Sequence, residues 1–129
     1  MRHVAEMVAA GWGVVVTHGN GPQVGFLLRR AELAVHELPI PPLDFLGADT
    51  QGATGYLLCS ALNREFGKLG IEKEAVAVIT QTVVDSDDPA FRTPSKPIGS
   101  FMSEAEAIGH ATTDGWKVIE DSGRGWRRV

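Results

Sequence analysis

The sequence has 129 residues, 43% hydrophobic and 22% charged, with 16 acidic against 12 basic side chains and a net charge of −4. That length suits one ordinary domain, and the acidic balance argues against a nucleic-acid-binding protein, which shows a basic face. No run approaches the ~20 apolar residues of a membrane span, and Glu6 interrupts the opening residues as a signal peptide, so a cytoplasmic location is expected.

Val4, Met7 and Val8 fall at helical spacing, and Gly11 is a suitable left-handed stop, which predicts a helix over the first eleven residues. Trp12-Gly13-Val14-Val15-Val16-Thr17 is a short β-branched run of the kind buried on both faces of a parallel sheet. After His18-Gly19-Asn20-Gly21, Pro22 suits the first turn of a helix whose apolar face is Val24, Leu27, Leu28, Ala31 and Val35. Leu38-Pro39-Ile40-Pro41-Pro42 is a stiff connector. A second helix is expected from about Asp49 to Phe66, ended by Gly67 and Gly70. Ala75 to Val84 reads as a second buried strand, and Asp85 to Phe101 as an irregular excursion. Ser103 with Glu106 three residues on is a capping box for a further helix, and Trp116 to Glu120 reads as a third strand. This order predicts an α/β fold, a three-layer α/β/α sandwich around a mainly parallel sheet.

Three motifs bear on chemistry. The Gly19-Asn20-Gly21 turn lies between a strand end and a helix start, where open α/β sheets bind ligands and where free N–H groups favour an anion. It is not a P-loop, since no Gly-Lys-Ser/Thr follows, and its spacing is not the dinucleotide fingerprint; a plain tight turn is the other reading. Lys96, between Pro94 and Pro97, sits on a stiffened backbone that can present its ammonium to an anion such as phosphate, or is an ordinary surface lysine. Asp85, Asp87 and Asp88 invite a metal reading, but Pro89 and Ala90 break calcium-loop spacing, so a solvated acidic loop is expected. Arg124, Arg127 and Arg128 read as a solvated basic end. His18 adjoins the turn and suits a structural hydrogen bond. Cys59, the single cysteine, is expected to be buried, with no disulfide and no metal cluster around it.

In order along the chain stand Thr17-His18-Gly19-Asn20-Gly21-Pro22-Gln23-Val24-Gly25, Pro42-Leu43-Asp44, Thr50-Gln51-Gly52, Ile79-Thr80-Gln81 with Val83-Val84-Asp85, Asp87-Asp88-Pro89-Ala90-Phe91, Lys96-Pro97-Ile98-Gly99 and Glu120-Asp121 with Gly123 to Val129. Together they resemble carbamate kinase, in the amino acid kinase superfamily, over nearly the whole chain. The resemblance implies reversible phosphoryl transfer between ATP and carbamate, giving ADP and carbamoyl phosphate, with Mg²⁺, at the end of arginine breakdown, in a cytoplasmic homodimer. It places Gly19, Asn20, Gly21 and Lys96 at the carbamate or carbamoyl phosphate site, with Lys96 the catalytic candidate. It makes residues 1–129 the substrate-binding part of the kinase domain, with residues 86–121 a protruding subdomain.

The family also has a first strand with a Gly-Gly-Asn turn and a nucleotide-binding half, and neither is matched within these residues. The chain by itself is therefore expected to hold no ATP or ADP tightly, to offer no metal ligands and to lack phosphotransfer activity. The alternatives are a non-catalytic fragment and a superfamily kinase acting on another small carboxylate.

Overall fold

A computed structural model describes all residues, Met1–Val129. In chain order the elements are α1 (Arg2–Ala9), α2 (Gly21–Leu33), α3 (Leu43–Leu69), a single 3₁₀ turn at Pro89–Phe91, β1 (Ile98–Met102), α4 (Glu104–Thr113), β2 (Val118–Glu120) and β3 (Trp126–Arg128). No helix is long and apolar enough to cross a membrane. The chain divides into two compact units, Met1–Asn20 with Asp44–Thr80, and Gly21–Leu43 with Gln81–Val129.

The first unit is built on α1 and α3. Ala5 of α1 is buried against Leu62 and Phe66 of α3, with Val4, Val8, Ile71 and Ala75 packed around them. Gly11, at φ +91°, ends the α1 region as its position implies. The long helix begins at Leu43, well before the expected Asp49, directly after the Pro41-Pro42 pair and with Asp44 favourably placed in its first turn. It runs through Gly67 and stops at Gly70, whose φ of +66° lets the Ile71 N–H turn back to the Phe66 carbonyl at 3.0 Å.

Trp12–Thr17 and Ala75–Val84 were expected to be buried strands, but neither forms a ladder and most of their residues are exposed. The expectation of a mainly parallel sheet around them is thus corrected. The only sheet has three antiparallel strands in the order β1-β3-β2 and lies in the second unit. The physical reason is local closure: β2 and β3 are joined by a tight turn through Ser122 and Gly123, both at positive φ, which an antiparallel pair can use and a parallel pair cannot. The fold is α/β with four helices and this antiparallel sheet.

Within the second unit, β1 was expected to be irregular and β3 a solvated chain end. Both are strands. Between the pairs Ile98–Arg128 and Met102–Trp126, β1 advances four residues while β3 advances two, so β1 bulges, with Gly99 at φ +77°. Helix α2 packs on β1, and a Cβ built on Gly99 would lie 3.8 Å from Leu28. Ser103 and Glu106 form the capping box predicted for α4.

Candidate functional site

The turn from His18 to Gln23 links an extended segment to a helix. Gly19 and Asn20 close the first unit, and Gly21 opens α2 in the second. Asn20 is held by the buried Thr50: its Nδ2 donates to Thr50 Oγ1 at 2.7 Å, while Thr50 donates to the Gly47 carbonyl at 2.7 Å. Asn20 therefore spends its amide on α3 and does not cap α2. That leaves the first-turn N–H groups of α2 without a side-chain acceptor, apart from Pro22, which has none to offer. Neither Gly19 nor Gly21 has positive φ, and a Cβ built on either meets nothing within 4 Å. Neither packing nor backbone conformation requires glycine here. Nor is Asn20 left-handed, the conformation its residue type was expected to tolerate.

His18 Nδ1 lies 3.2 Å from the Gly19 carbonyl oxygen, which makes Nδ1 the donor and leaves Nε2 outward on an exposed ring. Lys96 is exposed on the loop before β1, flanked by the half-buried Pro94 and Pro97, and its ammonium pairs with no carboxylate. It lies in the second unit, as does Gly21.

The acidic loop is local scaffolding. Asp85 accepts from the Asp87 N–H at 2.9 Å, and Asp88 accepts from the Ala90 N–H at 2.7 Å to cap the 3₁₀ turn. Nowhere do three His, Cys, Asp or Glu side chains gather in a way that holds a metal ion. Cys59 is a free thiol on α3, half-buried and not enclosed.

The reading of Arg124, Arg127 and Arg128 as a solvated end needs correction. Arg127 and Arg124 reach Asp121 at 3.0 and 3.1 Å, both guanidinium groups lie 5.0 Å from the Phe101 ring, and Arg128 lies 4.8 Å from the Trp116 ring. Trp116 in turn stacks on His110 at 4.2 Å. The Arg127 hydrogen bond, and after it that of Arg124, holds the Asp121 carboxyl below the usual carboxylate range. Alternating arginine and aromatic residues near one aspartate were the signal that a charge count alone passed over.

No protein-family model matches the sequence. The carbamate kinase of Pyrococcus horikoshii is 51% identical over 130 aligned residues, which cover 99% of this chain and 41% of that one. Among solved structures, one from Aeropyrum pernix K1 superposes with a TM-score of 0.90 at 39% identity, over 99% of this chain and 41% of its own. The carbamate kinase of Giardia lamblia bound to AMP-PNP superposes with a TM-score of 0.84 at 40% identity, over 98% of this chain and 40% of its own. In sequence and fold this chain is a partial carbamate kinase. It spans about 41% of the length of the relatives it matches.

Proposed function

We propose that this stretch is the carbamate and carbamoyl phosphate-binding part of a carbamate kinase, which moves a phosphoryl group reversibly between ATP and carbamate. The observation that carries the reading is the turn at Gly19-Asn20-Gly21. It heads a helix with unengaged N–H groups, and its two glycines have no packing or conformational reason to be glycine. A missing Cβ then matters only to something that approaches the backbone closely, and a helix N-terminus suits an anion. In this reading Gly19, Asn20 and Gly21 orient the phosphoryl oxygens, and the unpaired ammonium of Lys96 offsets charge as it passes to the transferring group. Phosphoryl transfer asks of a protein mainly positioning and charge stabilisation, which these groups supply.

In the parent enzyme ATP or ADP and Mg²⁺ supply the phosphoryl donor and its neutralising charge. This chain's carboxylates do not form a metal site, so no step is assigned to them. Residues 86–121 acting as a protruding subdomain, the cytoplasmic homodimer and the place at the end of arginine breakdown belong to the same proposal.

The test is isothermal titration of carbamoyl phosphate into the purified chain. Lys96→Ala and Gly21→Val are each expected to weaken binding by about tenfold or more, as loss of a charge-assisted contact or of access to the N–H groups implies. Equal binding by all three proteins removes Lys96 and the turn from the site. The 129 residues alone are expected to show no turnover of ADP and carbamoyl phosphate, and turnover by them overturns that part. A second reading, a non-catalytic fragment, gains if the wild-type chain binds no carbamoyl phosphate.

A further inference from the structure

Asn20-Gly21 joins a side-chain amide to the least hindered backbone nitrogen a chain can offer. In such a pair the nitrogen of the second residue can attack the side-chain carbonyl carbon of the first and close a cyclic imide. Here that nucleophile is free. Gly21 is exposed, opens α2, and its N–H makes no hydrogen bond, as befits the first residue of a helix. A Cβ built on Gly21 meets nothing within 4 Å, so nothing crowds the approach.

The electrophile, by contrast, is held. Thr50 is the only polar residue buried in the chain, 3% exposed, and a buried hydroxyl is costly unless it is paired. Its one hydrogen goes to the Gly47 carbonyl at 2.7 Å, so towards Asn20 it can only accept, and it takes the Nδ2–H at 2.7 Å. Three consequences follow for the Asn20 carboxamide. Its nitrogen is anchored to a residue 30 positions away, and Cγ reaches the Gly21 nitrogen only by giving up that bond. Thr50 has no proton left to offer a departing nitrogen. An amide that donates its N–H while its oxygen accepts nothing is also a poorer electrophile than one activated at oxygen.

We propose that Asn20 is a self-modification site, converted to aspartate or isoaspartate through its own backbone, and that Thr50 restrains the reaction. The Gly21 nitrogen gives its proton to hydroxide and bonds to Asn20 Cγ. The Cγ–Nδ2 bond breaks, and Nδ2 leaves as ammonia after taking a proton from water. Water then opens the imide at either carbonyl, leaving an aspartate or an isoaspartate at position 20. Water is the only co-reactant. The reaction runs from the fraction of molecules in which the Asn20–Thr50 bond is open. Asn63, the other asparagine, is an internal control. The next nitrogen, of Arg64, lies inside α3, and Asn63 Oδ1 is held by the Ala75 N–H at 2.8 Å. On the functional reading, a carboxylate at position 20 repels the phosphoryl group, so the chain loses its site as it ages; that consequence alone rests on the reading.

The experiment ages the purified chain in warm, mildly alkaline buffer and follows Asn20 and Asn63 by peptide mapping, with isoaspartate counted by enzymatic methylation. Asn20 is expected to convert and Asn63 to stay intact. Thr50→Val keeps the shape and loses the hydroxyl, and is expected to speed conversion at Asn20 by about threefold or more, as loss of one hydrogen bond implies. Thr50→Ser should bring back the slow rate, and Gly21→Val should slow conversion by about tenfold or more by crowding the nucleophile. The proposal is overturned if Asn20 stays intact in wild type and Thr50→Val alike, or if Asn63 converts as fast. It is also overturned if Thr50→Val leaves the Asn20 rate unchanged, or speeds both asparagines equally, which is general loosening. Carbamoyl phosphate titrated into fresh and aged chain reads the consequence, with binding expected to weaken about tenfold on ageing. A fresh chain that binds none defeats the functional reading and leaves the chemistry at Asn20 standing, so the two fail separately.

Discussion

Two regions of this chain use extended backbone in opposite ways. The β2–β3 hairpin pairs strands eight residues apart, from Val118 to Trp126, through one tight turn, and closes its hydrogen bonds locally. The extended segments Gly13–Thr17 and Ala75–Thr80 lie some sixty residues apart, share one helix as their floor, and close none between them. The hairpin is complete because its partner is next in sequence, so the loop-closure cost is small. Parallel segments need a distant partner and a crossover, so they do not close locally as a hairpin does. The more β-prone segments by composition are thus the unpaired ones. Pairing follows from topology more than from propensity.

Three perturbations break or sharpen this contrast. The largest is Phe66→Ala, which removes a ring 5% exposed from the small cluster with Ala5 and Leu62. A loss of about 3 kcal/mol or more is expected. Residue-resolved amide exchange should show it in α1 and α3, with β1, β2 and β3 little changed; equal loosening of the hairpin makes the two regions one cooperative whole.

Next is Gly55→Ala. A Cβ at this position lies 2.6 Å from the Cβ of Ala77, closer than atoms tolerate, so α3 and the Ala75–Thr80 segment must separate. A cost of about 1–3 kcal/mol is expected in guanidinium titration. Restoration by the double variant with Ala77→Gly checks that this contact is the cause, and no recovery disproves it.

The smallest concerns pH and the hairpin. Arg127 and Arg124 depress the Asp121 carboxyl, so folded Asp121 binds its proton less readily than the unfolded chain does. Its stabilisation is therefore full above the unfolded value of about 3.9 and is lost as pH falls through the lower folded value. Trp126 fluorescence, followed from about pH 5 to pH 2, should register the hairpin loosening, and Asp121→Asn should flatten that change. An unaltered profile in the variant removes Asp121 from the account.

Most helices were legible in the residues. Their apolar spacing, Pro22, Gly11, Gly70 and the Ser103–Glu106 pair announce where they run and stop. The start of α3 was missed because Leu43 to Ala48 carries glycine and no strong periodicity, while the preceding prolines hide a good entry to a helix. Strand composition at Trp12–Thr17 and Ala75–Val84 indicated buried strands, but composition could not supply a partner and most of these residues are exposed. Strands β1 and β3 were missed because glycines and arginines disguise them: Gly99 makes a bulge, and Arg127 and Arg128 gain from Asp121 and two aromatic rings what their propensity withholds. Of the candidate site, the position of the turn at the head of a helix was visible in Gly19-Asn20-Gly21-Pro22. The engagement of Asn20 by Thr50 was not, since thirty residues separate them and only the fold brings them together.

The approach of Gly55 to Ala77 has a consequence for descent. The two positions share a single volume, so neither drifts alone: a lineage that gains bulk at 55 survives only where 77 has already shrunk to glycine, or where helix and strand have moved apart. Related sequences should record this as a correlated pair, small with small, across 21 residues of intervening chain.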